Sequence, residues 1–176
     1  ETLTLAGGYS TSDWSTPDPV ANPTALDAEG LGTVLHAETA GITVTVSGLT
    51  MQRGSSYGVY VSDGRLLMAE SAVISTTWTH GLYLGYADGS VVQDSRIANN
   101  SSRGLYANYC DDLVLSGNTF IGNSSYAIYL YYYNNGATLS HNTISYNGSH
   151  GIYFYRYNDY ATFSGNVISS NSGRGV

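Results

Sequence analysis

Short strings in which apolar residues alternate with tyrosine recur along the chain: GVYV at Gly58, GLYL at Gly81, GLYA at Gly104, AIYL at Ala127 and GIYF at Gly151. Successive strings start 23, 23, 23 and 24 residues apart, and a further GV arrives 24 residues later at Gly175. A second apolar anchor lies seven residues before each: Met51, Ile74, Ile97, Phe120, Ile144 and Ile168. Two anchors that hold register through six copies define a structural repeat.

Alternation at period two predicts strands. The inward residues of the first strand are Val59/Val61, Leu82/Leu84, Leu105/Ala107, Ile128/Leu130 and Ile152/Phe154. A second strand follows at Leu67–Ala69, Ser90–Val92, Leu113–Leu115, Ala137–Leu139 and Ala161–Phe163, and a third holds the isoleucine anchor. Helical spacing with caps is nowhere present. Glycine, Asn and Asp punctuate the joints, where a positive φ is often required. Three short strands cannot bury their apolar faces within one repeat. Stacked coils can, because each strand pairs with its equivalent in the next coil at about 4.8 Å. Every column in the sequence then becomes a ladder in space.

The strings SGNTFIGN, SHNTISYN and SGNVISSN resemble the repeat of right-handed parallel β-helix proteins, the pectate-lyase-like superfamily. The resemblance implies an all-β, single-stranded right-handed solenoid of about 23–24 residues and three short strands per coil. It also implies internal asparagine ladders at the turns. Asn118, Asn142 and Asn166 form one column, in which Leu49, Ala72 and Ser95 stand for asparagine in earlier coils. Asn100, Asn123, Asn147 and Asn171 form another. LAGGYSTSDW and PTALDAEGLGTVL resemble the entry segment of bacterial secreted members. Residues 1–40 are expected to be irregular opening coils, with Pro17, Pro19 and Pro23 marking a loop. Residues 41–176 are expected to be regular coils of a longer solenoid.

Tyr60, Tyr83, Tyr106, Tyr129 and Tyr153 alternate with the inward residues and so point outward. Tyr131 and Tyr155 extend that surface, and Tyr132, Tyr133, Tyr157 and Tyr160 crowd the following turn. The bland reading is cross-strand packing of a residue that favours strands. The functional reading is an exposed aromatic platform that takes sugar rings or a protein surface. A second column, Tyr57, His80, Arg103, Tyr126, His150 and Arg174, precedes the repeat glycines and lines one edge of the platform. It is either a solvated turn or the polar rim of a glycan site. His80 and His150 lie about 14 Å apart and cannot share a metal. His36 and His141 show no ligand spacing.

Asp63, Asp88, Asp111, Asp112 and Asp159 follow the tyrosine strand. They either hold calcium or, as is commoner at turns, bond their own backbone. No other cofactor or metal is indicated. Arg103 precedes its strand whereas Asp88, Asp111 and Asp112 follow theirs, on the order of 15–20 Å away. Glycosidase carboxylates work within about 10 Å of one another. Glu70, Asp94 and Arg96 meet on another face, where they read as a surface ion pair. The sequence therefore yields no catalytic set. NSS at Asn100 and Asn123 and NGS at Asn147 match the glycosylation sequon.

Composition narrows the partners. The 176 residues carry a net charge of −7, and the six basic residues are all arginine, which excludes a broad nucleic-acid surface. A lone cysteine, Cys110, excludes an internal disulfide and a thiolate zinc site. No apolar run is long enough to span a membrane.

The expected function is a non-catalytic extracellular or cell-surface module of adhesin type. It would contact glycans or neighbouring protein through the exposed tyrosine ladder. The alternatives are a polysaccharide lyase or glycoside hydrolase, as the resemblance implies, and a fibre subunit associating through its coil ends.

Overall fold

Alternation becomes strand throughout: the computed structural model describes residues 1–176, with twenty β-strands and no helix. The first coil is β1 (Thr2–Ala6), β2 (Thr24–Asp27) and β3 (Leu35–Glu38); the second is β4 (Thr43–Ser47), β5 (Leu49–Gln52) and β6 (Val59–Ser62). The third holds β7 (Arg65–Ala69), β8 (Ala72–Ile74) and β9 (Leu82–Gly85), and the fourth β10 (Val91–Gln93), β11 (Arg96–Ala98) and β12 (Leu105–Asn108). The fifth holds β13 (Val114–Ser116), β14 (Thr119–Ile121) and β15 (Ile128–Tyr132); the sixth β16 (Thr138–Ser140), β17 (Thr143–Ser145) and β18 (Ile152–Arg156). Two further strands follow, β19 (Thr162–Ser164) and β20 (Val167–Ser169). Each strand pairs in parallel with its equivalent one coil away, giving two seven-stranded sheets and one six-stranded sheet. The proline segment lies between β1 and β2.

The core is a set of apolar columns. Val59, Leu82, Leu105, Ile128 and Ile152 stack in one, and Met51, Val73, Ile97, Phe120 and Ile144 in another, all fully buried. Burying each such side chain is worth about 2 kcal/mol relative to exposure. The third coil departs from the predicted register by one residue. Val73, not Ile74, is the anchor there; Leu66 and Met68, not Leu67 and Ala69, point inward; and Ser71, not Ala72, takes the ladder position. The turn before β7 is shorter than its equivalents in the coils on either side and the turn before Gly81 one residue longer, so the coil regains register at the next tyrosine string.

Each coil bends at three joints by the same device. One residue takes a positive φ, and the next enters a ladder. Gly48, Glu70, Asp94, Gly117, His141 and Gly165 do this before the first asparagine column. Asn118 donates from its side chain to the Asn142 side-chain oxygen at 3.0 Å and to the Val92 carbonyl at 2.8 Å, and Asn142 repeats the pattern on Asn166. In earlier coils serine hydroxyls serve: Ser95 accepts from the Ser71 backbone at 3.2 Å, and Ser71 from Leu49 at 3.3 Å. The second column runs Asn100, Asn123, Asn147, Asn171 with side-chain bonds of 2.8–3.0 Å. Buried amides satisfied in this way fix register without an unmet polar group. A third, unpredicted ladder joins Asn134 to Asn158 at 2.7 Å, and the Asn134 oxygen accepts from the backbone of Cys110. Because Asn100, Asn123 and Asn147 are buried in a ladder, the three sequons are not accessible glycosylation acceptors.

Candidate functional site: the tyrosine face

The six-stranded sheet carries the predicted column on its outer side. Tyr60, Tyr83, Tyr106, Tyr129 and Tyr153 pair in register through five successive coils. Ring centroids are 4.7, 5.3, 5.5 and 5.3 Å apart, close to the strand spacing that places them. His36 extends the column at its start, paired with Tyr60 and stacked on it at 4.6 Å. Sequence reasoning had set His36 apart, because its own strand lacks the tyrosine string. The signal was its place between Leu35 and Ala37, which alternate as the later strands do.

The surface is not the open aromatic platform expected. Stacked rings cover one another's faces, so edges and phenol hydroxyls meet solvent. The rings are half-buried, and Tyr129 is only 8% exposed. Burial is the main cause that raises the phenol pKa values of Tyr60, Tyr83, Tyr106 and Tyr129, so all are neutral donors at neutral pH. Tyr83 leans along its strand over Gly85, where a Cβ would lie 3.0 Å from the ring.

The second predicted column interleaves with the first. Tyr57 packs on Tyr60 and Tyr83 at 5.3 and 5.5 Å, and Tyr126 on Tyr129 and Tyr153 at 5.1 and 5.2 Å. His150 meets Tyr126 and Tyr153 at 5.4 and 5.5 Å. Arg103 lies over Tyr129 at 4.5 Å and Tyr106 at 5.3 Å, a cation–π arrangement with no carboxylate partner. The rings of Tyr106 and Tyr129 tilt to 53° at this point, where the stack around them is otherwise within 19°. Arg103 donates to His80 Nε2 at 3.0 Å, which places the imidazole proton on Nδ1. Burial, and then the guanidinium, lower the His80 pKa to about 4, so the ring is neutral. His80 Nδ1 and Arg103 Nε are buried donors without a protein acceptor. Tyr131 joins Tyr106 and Tyr129 at 5.8 and 5.7 Å and stacks on Tyr155 at 5.0 Å. Arg174 is exposed on the last turn.

A second stacked column takes in Tyr133 and Tyr157, which the sequence placed at this turn, and Tyr86 and Tyr109, which it did not. Tyr86, Tyr109, Tyr133 and Tyr157 follow the sheet at the next joint, with centroids 4.8, 5.2 and 4.8 Å apart. All four have φ between 49° and 55°, where glycine, Asn or Asp was expected. That substitution hid Tyr86 and Tyr109 from a search for turn residues.

The acidic turns are bonded from coil to coil, rather than each to its own backbone as expected. Asp88 accepts from the Asp111 backbone at 2.9 Å, and Asp111 from the Asn135 backbone at 2.8 Å. The one arginine–carboxylate ion pair is Arg53–Asp27, so the pair expected among Glu70, Asp94 and Arg96 does not form. Those three residues line a groove of about 440 Å³ walled by Pro19, Val20 and Pro23, on a different face from the tyrosines.

Comparison with known proteins fits this geometry. Crystal structures of the periplasmic alginate epimerase AlgG and of its double mutant superpose with TM-scores of 0.56 at 17% identity, covering 97% of this chain and 56% of those chains. The chain thus spans little more than half the length of the structures it matches. No curated protein matches it in sequence. The family model for the right-handed β-helix region matches residues 33–176, and the chain belongs to that family.

Proposed function

We propose that the chain is a non-catalytic glycan-contacting module of the cell envelope or exterior, and that it binds a linear polysaccharide along the tyrosine face. The observation that carries this is one outward, in-register aromatic column flanked by an arginine with no carboxylate partner. Phenol hydroxyls repeat once per coil, about 4.8 Å apart, which suits a polymer of hydroxyl-rich units better than a single small molecule. Ring edges and hydroxyls, rather than ring faces, are what this surface offers, so hydrogen bonding dominates over stacking. That the AlgG structures are of a periplasmic alginate epimerase supports the ligand class and the compartment.

The test replaces Tyr83, Tyr106 and Tyr129 together by serine and compares binding with the unmodified protein on a glycan array, with circular dichroism to check the fold. The proposal expects loss of glycan signal with the spectrum retained. Unchanged binding by a folded variant removes the tyrosine face from consideration. The likeness to the epimerase structures also favours a second reading, an enzyme acting on acidic polysaccharide. Ultraviolet-absorbing unsaturated product, or altered uronate composition, that disappears in Arg103→Ala would establish it.

A further inference from the structure

We infer that the turn column Tyr86–Tyr109–Tyr133–Tyr157 is a site of oxidative tyrosine coupling that staples neighbouring coils covalently. This inference is independent of glycan binding, because the column sits at the joint beyond the sheet. Three observations carry it. First, the rings are held parallel, within 4°, 17° and 14°, at centroid distances of 4.8–5.2 Å. Second, Tyr86, Tyr133 and Tyr157 are 56%, 41% and 55% exposed, so an external oxidant reaches them, unlike the half-buried column on the sheet. Third, Tyr86, Tyr109 and Tyr133 line one shallow surface groove together with Asp88 and Asp111. A bulky residue at positive φ costs about 1–2 kcal/mol relative to a right-handed conformation. The chain bears that cost four times in one column, each time keeping the ring aligned with its neighbours.

The chemistry needs a one-electron oxidant, of which a haem peroxidase with hydrogen peroxide is the natural class. Each of two adjacent phenols loses one electron and one proton, giving two phenoxyl radicals. Their ortho carbons form one carbon–carbon bond, and each ring regains aromaticity as its ortho hydrogen moves to the phenol oxygen. The peroxide takes the two electrons and two protons and leaves as two waters. The product is a dityrosine two hydrogens lighter than the parent pair. Each link closes a loop of one coil and so prevents adjacent coils from separating.

The experiment treats dilute protein with peroxidase and hydrogen peroxide, then reads dityrosine fluorescence and maps cross-linked peptides by mass spectrometry. The inference expects a monomer two hydrogens lighter per link, with links at Tyr86–Tyr109, Tyr109–Tyr133 and Tyr133–Tyr157. Tyr146 and Tyr160 are internal controls, being 67% and 87% exposed without a stacked neighbour, and should stay uncoupled within the chain. Tyr109→Phe keeps the stack but removes two of the three adjacent pairs, so only Tyr133–Tyr157 should survive. The linked monomer should also unfold at higher temperature than the untreated one. Links found mainly between molecules, or at Tyr146 and Tyr160 as often as in the column, would overturn the inference.

Discussion

Asn142 is the most informative single position. Its side-chain oxygen accepts from the Asn118 backbone at 2.9 Å and from the Asn118 side chain at 3.0 Å. Its amide donates to the Leu115 carbonyl and the Asn166 oxygen, both at 2.9 Å. Asn142→Ala therefore strands two donors of Asn118 in a region closed to solvent, and leaves Leu115 without that donor. Each unmet buried group costs about 1–3 kcal/mol, and partial entry of water offsets some of it, so the expected loss is about 3 kcal/mol. Asn166→Ala makes the same chemical deletion one coil further, where the site is only partly buried and water replaces the side chain, at a cost of about 1 kcal/mol. Urea unfolding followed by circular dichroism measures both. Stability losses that are equal, or a loss below about 1 kcal/mol for Asn142→Ala, would refute the view that the ladders are satisfied, buried networks.

Three further outcomes are expected. His80 has a pKa near 4 when folded against about 6.5 when unfolded, so the unfolded chain binds the extra proton between these values. Stability should therefore be full above pH ~6.5 and fall by up to about 3 kcal/mol toward pH ~4, and His80→Phe should flatten that difference in pH-dependent melts. Gly104→Ala places a Cβ 2.6 Å from the Ala127 carbonyl oxygen and should cost about 1–3 kcal/mol in chemical denaturation, although Ala127 fills the equivalent position one coil on. Burial pushes the Cys110 thiol up to about 11, so a thiol-specific disulfide reagent should label it only after denaturant is added; labelling of the folded protein would contradict its place in the core.

The repeat was legible because inward residues alternate with tyrosine, and one coil's strand must lie on the next. The same logic placed Tyr60 to Tyr153 in one column and Tyr57, His80 and Arg103 beside it. It slipped by one residue at Leu67, Ala72 and Ile74, because compensating changes in turn length leave the tyrosine strings evenly spaced while shifting what lies between them. Ring orientation was not legible at all. Period two says that Tyr106 points outward, but only the stacking distance and the insertion of Arg103 show that its faces are covered. Tyr133 and Tyr157 were legible as turn residues, but Tyr86 and Tyr109 and the stack itself were not, because tyrosine at a positive φ runs against backbone preference.

The glycan-face proposal makes a length-dependent claim. Five rings at one-coil spacing span about 19 Å. Calorimetric titration with a series of linear oligosaccharides, drawn from whichever polymer the array identifies, should show affinity rising with each added unit until that span is filled, then levelling. The Tyr83, Tyr106 and Tyr129 triple serine variant should lose this dependence. Affinity that is the same for two units as for six, or that the triple variant retains, would contradict the proposal.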